Sequence, residues 1–559
     1  MNARSPVRSF GRALLVAAAA AAPLPATARD LQDPVDQADP SVAGEEIQAQ
    51  EHPTPLNGNV ALPNAPTERR GAASVEPIVA GAIRIEGATE LTPAVFASAI
   101  EPYLGRPLGA EELGALAGDV AAAARSAGFG LATAWIRPQN LTAGVLRVTV
   151  DEGRIDAVEV EGPAREAVER RLAPLATGRP LRTAELERRL LIAGDLPGVG
   201  IGRPRIVRRL GRNFLVVSTT FDRVRGRASI DNSGTSSVGP VRARLHVDLN
   251  GLIATGDRLS IGGVVTPLQP REFQFVQAGY SIPIGRNGTE VAVRGYAGHS
   301  QAGADLRDRN LEGISTEVEA TVSHPIVRSR RASLWGSATA TLRDSRLDRD
   351  GTRVRDDRIV TATASLYGVG RVAGGRARVR LSYVQGLDLL NATSRGDALA
   401  SRRDAGGSFS AVGFWAQFER PLGGGFSMEL RGEGQLASRP LLASEEMGLG
   451  GRQFLRAWDY REMSGDQGAA GAAELRYDIT NGLPHPVRRL QLYLYGDAGR
   501  VTNVEDGLGG GSLASVGGGF RAWLDHGFEA GVELGVPLTD GALDDDPDPR
   551  LSFSLGSRF

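Results

Sequence analysis

Residues with the chemistry for catalysis are sparse in this chain of 559 residues. Its 6 histidines are scattered without metal-ligand spacing, and there is no cysteine. Thiolate sites and disulfides are therefore excluded, and no hydroxyl sits in a nucleophile–base pattern. No enzymatic activity, metal or cofactor is expected. The stretch "GVGIGR", Gly198 to Arg203, has the composition of a phosphate loop. Such a loop follows a strand and opens a helix, whereas this one follows a helical pattern and opens a strand, so nucleotide binding is rejected. All 64 basic residues are arginine and the net charge is −1, which offers nothing to nucleic acid. One stretch stands out. Residues 450–468, "GGRQFLRAWDYREMSGDQG", crowd Arg452, Arg456, Arg461, Asp459, Glu462 and Asp466 with aromatic residues between glycines. The chemistry open to an arginine there is ion pairing, which requires a carboxylate held on a rigid element.

The flanking sequence supplies such elements. From about Arg223 to Phe559 helical periodicity is lost and strict alternation takes over. "VRARLHVDLN" sets Val241, Ala243, Leu245, Val247 and Leu249 against Arg242, Arg244, His246, Asp248 and Asn250. "GRARVRLSY", "FSMELRGEGQL" and the last segment, with Leu551, Phe553, Leu555 and Phe559 on one face, repeat the pattern. About 16 such segments are expected, beginning near Arg227, Val241, Asp257, Glu272, Thr289, Ile314, Arg331, Asp357, Gly374, Ser408, Gly425, Ala469, Arg489, Ala514, Gly527 and Arg550, within the even-numbered range of outer-membrane barrels. Connections after even-numbered segments are short and Gly/Pro-rich ("GLIATG", "PIGRNG", "LDHG"). Those after odd-numbered ones are longer and polar ("GHSQAGADLRDRNLEG", "DSRLDRDGTRVRDD", "TDGALDDDPDP"). A soluble sandwich also alternates but would not line one face of so many strands with arginine. In a barrel the polar face surrounds water. An arginine slipped onto the lipid face costs about 2–4 kcal/mol at mid-membrane, so the pattern pins the register. The expected fold class is a membrane β-barrel over 223–559.

The N-terminus reads as a secretory signal peptide over 1–28: Arg4, Arg8 and Arg12, the apolar run Ala13 to Ala22, then small residues at Ala26 and Ala28. Residues 29–75 are rich in Pro, Ala, Glu and Gln and read as a flexible arm. Two α+β units follow, 76–153 and 154–222, each of order β-α-α-β-β and repeating at a spacing of about 75 residues.

At this point a family resemblance enters. "IRPQNLTAGVLRVTVDEGRI" resembles the end of the first POTRA domain in outer-membrane transporters of the two-partner secretion (haemolysin secretion/activation) family. The matching positions include Pro138, Gln139, Leu141, Gly144, Leu146, Val148, Val150, Glu152, Gly153 and Ile155. "LPGV", with Pro197 and Gly198, resembles the signature of the second POTRA. Two POTRA domains before a 16-stranded barrel ending in Phe559 are that family's layout. The resemblance implies that the sixth outside loop folds back into the lumen and pairs a motif arginine with a wall aspartate. The matching stretch is Leu455, Arg456, Ala457 and Trp458, and the implied partner is Asp497 in "GDAG", between Gly496 and Gly499. "SGDQG", with Gly465, Asp466 and Gly468, also resembles the family. The family's glycine is Ala457 here; a left-handed tip would cost alanine about 1–2 kcal/mol. "VRGY", Val293 to Tyr296, matches the motif by letters but lies inside an alternating segment and is expected to be strand. The pore-plugging N-terminal helix of the family has no clear counterpart in the proline-broken arm.

The resemblance implies an outer-membrane translocator that binds an unfolded exoprotein through periplasmic POTRA domains and exports it through the lumen without ATP. The expected docking surface is the strand ending each POTRA unit, by strand addition, or its helix groove. Outer-membrane lipid, and the barrel assembly machinery during biogenesis, are the other expected partners. The alternative is an assembly or insertion factor of the same superfamily, against which two POTRA units rather than three or five count.

Overall fold

The computed structural model describes residues 39–41, 77–141, 143–505, 509–542 and 547–559. The signal peptide and all of the arm except Asp39, Pro40 and Ser41 lie outside the described residues.

In the first α+β unit the helix Ala110–Ser126 buries Leu116, Val120 and Ala124, a four-residue spacing that makes one apolar stripe. It packs on a three-stranded sheet whose central strand, Val145–Asp151, turns Leu146, Val148 and Val150 inward. The segment expected as the other helix is instead a chain of short pieces: 3-10 turns at Pro93–Phe96 and Glu101–Tyr103 around the helix Ala97–Ile100. Pro93 and Pro102 lack the N–H that a continuous helix needs. The second unit uses the helices Arg165–Leu172 and Thr183–Gly194, the latter burying Leu186, Leu190 and Leu191. Its stretch 199–209 forms two short strands, Val199–Ile201 and Arg205–Arg209, split before Arg205 by Pro204, which has no amide donor for the ladder.

One expectation is corrected by the sheet order. The strand that ends each unit, Val145–Asp151 or Arg212–Phe221, is paired on both sides. A central strand has no open hydrogen-bonding edge, so neither accepts an added strand. The outer positions belong to Ala82–Glu86 and Thr133–Trp135 in the first unit, and to Ala157–Glu161 and the pair Val199–Ile201 and Arg205–Arg209 in the second.

Beyond residue 223, sixteen antiparallel strands among the described residues close into a barrel. They begin at Val224–Asp231 and end at Arg550–Arg558. Alternation assigns the faces: on the thirteenth strand, Val487–Thr502, Leu492 and Leu494 are exposed outside while Tyr493, Tyr495 and Asp497 are buried inside. The fifth strand, Thr289–Gln301, contains the "VRGY" letters as plain lattice. The seventh and eighth strands, Ala332–Arg349 and Thr352–Val372, continue through what reads as a long loop, leaving only Asp350 and Gly351 between them. Their Asp and Arg residues pair across the ladder instead of being solvated singly, as in Arg358 to Asp344 at 2.6 Å.

The barrel closes by pairing its first and last strands over a short seam, from Arg227 opposite Arg558 to Asp231 opposite Ser554. Phe559 extends it: its N–H donates to the Gly226 carbonyl at 3.1 Å and its carbonyl accepts from the Gly226 N–H at 2.8 Å. A Cβ on Gly226 would fall 2.2 Å from the Phe559 ring, so a larger residue there would displace the ring from its present position.

Asp39, Pro40 and Ser41 lie buried inside the barrel, with helical backbone at Pro40 and Ser41. The Asp39 carboxylate accepts hydrogen bonds from the Ser345 hydroxyl at 2.7 and 2.8 Å. Part of the arm thus occupies the lumen, although its composition gave no sign of a plug.

Candidate functional site

The connection between the eleventh strand, Phe426–Ala437, and the twelfth, Gln467–Ile479, folds inward. Its stem is a two-stranded ribbon, Met447–Leu449 against Met463–Gly465. Gly465 lets this stem lie against the backbone of the thirteenth strand, where a Cβ would approach Thr502 to 2.9 Å; on the twelfth strand, a Cβ at Gly468 would come 2.5 Å from the Arg500 carbonyl. Asp466 is fully buried and ties three segments together. It accepts from Arg402 Nη1 at 2.7 Å, the Leu441 N–H at 2.7 Å and the Val504 N–H at 2.9 Å.

At the tip, Arg456 is 6% exposed. Its Nη1 lies 2.8 Å from Glu474 Oε2 and 3.0 Å from Glu533 Oε2, and its Nε lies 3.6 Å from Asp497 Oδ2. The Arg456 backbone N–H also donates to Asp497 at 3.3 Å. Its guanidinium carbon stands 3.4 Å from the centre of the Tyr495 ring, a cation–π contact in a closed site. An arginine cannot shed its proton, so its burial is tolerable only among such partners. Asp497 is therefore one of three wall carboxylates, and the shorter contacts are to Glu474 and Glu533. Sequence reading missed both. Their signal was the same inward phase that marks Asp497: "AAEL" and "VEL" each place a carboxylate between outward apolar residues.

Further charges complete the cage. Arg521 donates to Glu474 at 2.7 and 3.1 Å, Arg476 reaches it at 2.6 Å, and the Tyr493 hydroxyl donates to Glu533 at 2.8 Å. The Ser515 hydroxyl donates to Asp497.

The left-handed residue of the tip is Leu455, at φ 58°, and Ala457 is not in that region. The expected penalty at Ala457 does not arise, because the turn takes its unusual backbone two residues earlier. Leu455 is fully buried beside Leu449, and Gly499 makes room for both; a Cβ there would lie 2.8 Å from Leu449 and 3.2 Å from Leu455. Ala457 packs on Gly535, where a Cβ would come within 3.0 Å of its Cα. Gly496 is under no such pressure, its nearest neighbour being Val516 at 3.8 Å. Trp458 is buried, and its carbonyl accepts from Arg550 Nη1 at 2.7 Å. Asp459 meets Arg550 at 2.7 Å while Arg452 meets Asp231 at 3.0 Å, so the loop grips both strands of the seam.

The POTRA-signature residues hold the α+β units in shape. Glu152 is buried, and its carboxylate accepts from the Thr89 hydroxyl at 2.7 Å and from the N–H groups of Thr89, Glu90 and Leu91. Burial alone would push its pKa up; the Thr89 hydroxyl and those three amides outweigh it and hold the carboxyl below the usual glutamate range. Gly153, at φ 83°, abuts Leu131, and a Cβ would lie 2.5 Å away. Gln139 clamps Arg147, accepting from its N–H at 3.0 Å and donating to its carbonyl at 2.8 Å. Pro138 is exposed, Leu141 leans on the core and Gly144 takes a left-handed turn at φ 70°. Pro197 is buried, and Gly198 sits where a Cβ would strike the Asp222 carbonyl at 2.7 Å and Asn250 at 2.8 Å.

The sequence profile of the haemolysin secretion/activation protein ShlB/FhaC/HecB family matches residues 214–522. The chain belongs to that family. The ShlB-type POTRA domain matches residues 80–153. The chain is 21% identical over 393 residues to the heme/hemopexin transporter protein HuxB of Haemophilus influenzae (strain 86-028NP), covering 68% of this chain and 69% of that one. It is 24% identical over 394 residues to the outer membrane transporter CdiB of Dickeya dadantii (strain 3937), covering 67% and 68%. The solved structure of CdiB from Escherichia coli superposes with a TM-score of 0.74 at 20% identity, covering 96% of this chain and all of that one. As a member of the haemolysin secretion/activation family, the chain is an outer-membrane transporter for a partner polypeptide, with its POTRA region in the periplasm.

Proposed function

We propose that the chain exports one large unfolded exoprotein, without ATP, through a lumen whose resting closure is the Arg456 loop. Residues 1–28 serve as the signal peptide, 29–75 as the arm, 76–153 and 154–222 as two POTRA domains and 223–559 as the pore. The reading is carried by one observation: a buried arginine at the tip of a long outside loop, closed on Glu474, Asp497 and Glu533 of the wall. Interactions this specific make the closed loop one of two discrete states rather than a solvated tether. Leu455, Ala457 and Trp458 seat the tip, Asp466 anchors its stem, and Glu152 and Gly198 keep the periplasmic units rigid. An exoprotein segment adds to the outer strand Ala82–Glu86 or Ala157–Glu161, where main-chain groups supply affinity without demanding one sequence. Folding of the cargo outside biases its movement. Outer-membrane lipid surrounds the barrel, and Phe559 is the signal read by the barrel assembly machinery.

The test is reconstitution of the purified chain in liposomes with an unfolded N-terminal segment of a candidate exoprotein and no nucleotide. The segment is expected to become protease-protected inside vesicles. A nucleotide requirement, or insertion of other barrels in place of transport, would overturn the reading.

A further inference from the structure

The turn joining the second and third barrel strands, Arg242–Asn250 and Arg258–Val265, reads Gly-Leu-Ile-Ala-Thr-Gly-Asp over 251–257. Its tip carries Leu252 and Ile253, 57% and 78% exposed. Turn tips in water are ordinarily Gly, Asn, Asp, Ser or Pro, and the next turn at the same end of the barrel, 285–288, is Gly-Arg-Asn-Gly. The aliphatic turn is not slack. The fully buried Asp257 carboxylate accepts from the N–H groups of Leu252, Ile253 and Ala254 at 2.8, 2.9 and 2.8 Å and from the Tyr280 hydroxyl at 2.6 Å.

Register fixes the side on which this happens. Leu249 pairs with Leu259, Leu259 with Tyr280, and Tyr280 with Val293. Paired residues share a face. Leu245, Ile261, Ile282 and Val293, all of this phase, are exposed on the outer, lipid-facing wall. Tyr280 therefore stands on that wall at its periplasmic rim, where tyrosine belongs in a membrane protein. Asp257, bonded to the Tyr280 hydroxyl, lies on the same side, and the turn is folded outward over it. A carboxylate beside lipid is costly unless sheathed, and four donors sheath this one. The back of the turn meets the second α+β unit: a Cβ on Gly256 would come 2.8 Å from Leu196, one on Gly251 would come 2.7 Å from the Phe221 ring, and Asn250 Nδ2 donates to the Asp222 carbonyl at 2.9 Å. Leu196 opens the "LPGV" signature and belongs to the core of that unit.

We propose that Leu252 and Ile253 form a membrane anchor that enters the inner leaflet of the outer membrane at the headgroup boundary, and that the "LPGV" loop resting on it sets the height of the second POTRA unit against the bilayer. The occupant is phospholipid because the turn, folded over Asp257 beside Tyr280, holds this exposed pair on the lipid-facing side of the wall. The chain has no cysteine, so an Ile253→Cys variant of the full-length protein takes a single nitrobenzoxadiazole label. In phosphatidylethanolamine–phosphatidylglycerol vesicles its emission is expected to be blue-shifted, and quenched severalfold more by shallow doxyl-phosphatidylcholine, than the same label on an Arg286→Cys variant. Water-like emission without quenching overturns the anchor, as does shielding that arises only when an unfolded exoprotein segment is added, since that would make the turn a cargo contact. A Leu252→Ser, Ile253→Ser double variant is expected to speed protease cleavage within 154–222 severalfold in the same vesicles; unchanged cleavage overturns the height-setting role.

Discussion

Arg456 Nη1 lies 2.8 Å from Glu474 Oε2, joining the tip of an outside loop to the wall in the interior of the barrel. Glu474 also receives Arg521 and Arg476, so this contact is one edge of a charge network rather than a lone pair. Networks of this kind are costly to leave half made.

Arg456→Ala is expected to abolish the closed loop while leaving the wall intact, because Glu474 keeps Arg476 and Arg521. Breaking one partner of a buried ion pair costs about 3–5 kcal/mol, and here that cost falls on the closed state. Export of the partner should drop by an order of magnitude or more, and single-channel conductance should rise. Arg456→Lys keeps the charge but not the planar fork and should recover only part of the export. Normal export by the alanine variant at normal outer-membrane levels would refute this.

Backbone geometry at the tip yields a paired expectation. Gly499→Val places a side chain where Leu449 and Leu455 already lie, an overpacking of about 1–3 kcal/mol that should unseat the loop and expose it to protease. Ala457→Gly, which restores the family's residue, should give no relief, because position 457 is not left-handed. It should instead lower thermal stability slightly, by about 0.4–1 kcal/mol through the unfolded chain. Melting in detergent with limited proteolysis measures both.

Glu152 links the periplasmic region to pH. Its folded pKa lies below the ordinary value, so its stabilising contribution is fully present above about pH 4.3 and is lost as pH falls through the depressed folded value. Amide exchange at Thr89, Glu90 and Leu91 in the full-length chain should accelerate in that acid window. In Glu152→Gln it should be fast already at neutral pH, since one charged acceptor serving four donors is replaced by a neutral amide; a cost of about 1–3 kcal/mol is expected. Equal exchange in the two proteins at neutral pH would contradict this.

The barrel was legible because lipid and luminal water are two solvents on opposite faces of one strand, and a period of two records which is which. That is why Leu245 and His246 could be assigned to opposite sides from letters alone. Partner sets were not legible in the same way. Glu474, Asp497 and Glu533 come from three different strands, and only the curvature of the closed wall brings them to one arginine. The extended hairpin around Asp350 was hidden because Asp and Arg alternating in a ladder have the same composition as a polar loop. Asp39 went unseen because a segment held by a few hydrogen bonds to Ser345 leaves no periodic trace.

The short seam between the first and last strands has a mechanical corollary. Arg452 grips one side of it and Asp459 the other, so the folded-in loop acts as an internal clasp on the wall's shortest joint. Unclasping would let the circumference yield there first, so dilation for a passing chain would be lopsided, concentrated at one hinge line while the long seventh and eighth strands stay stiff.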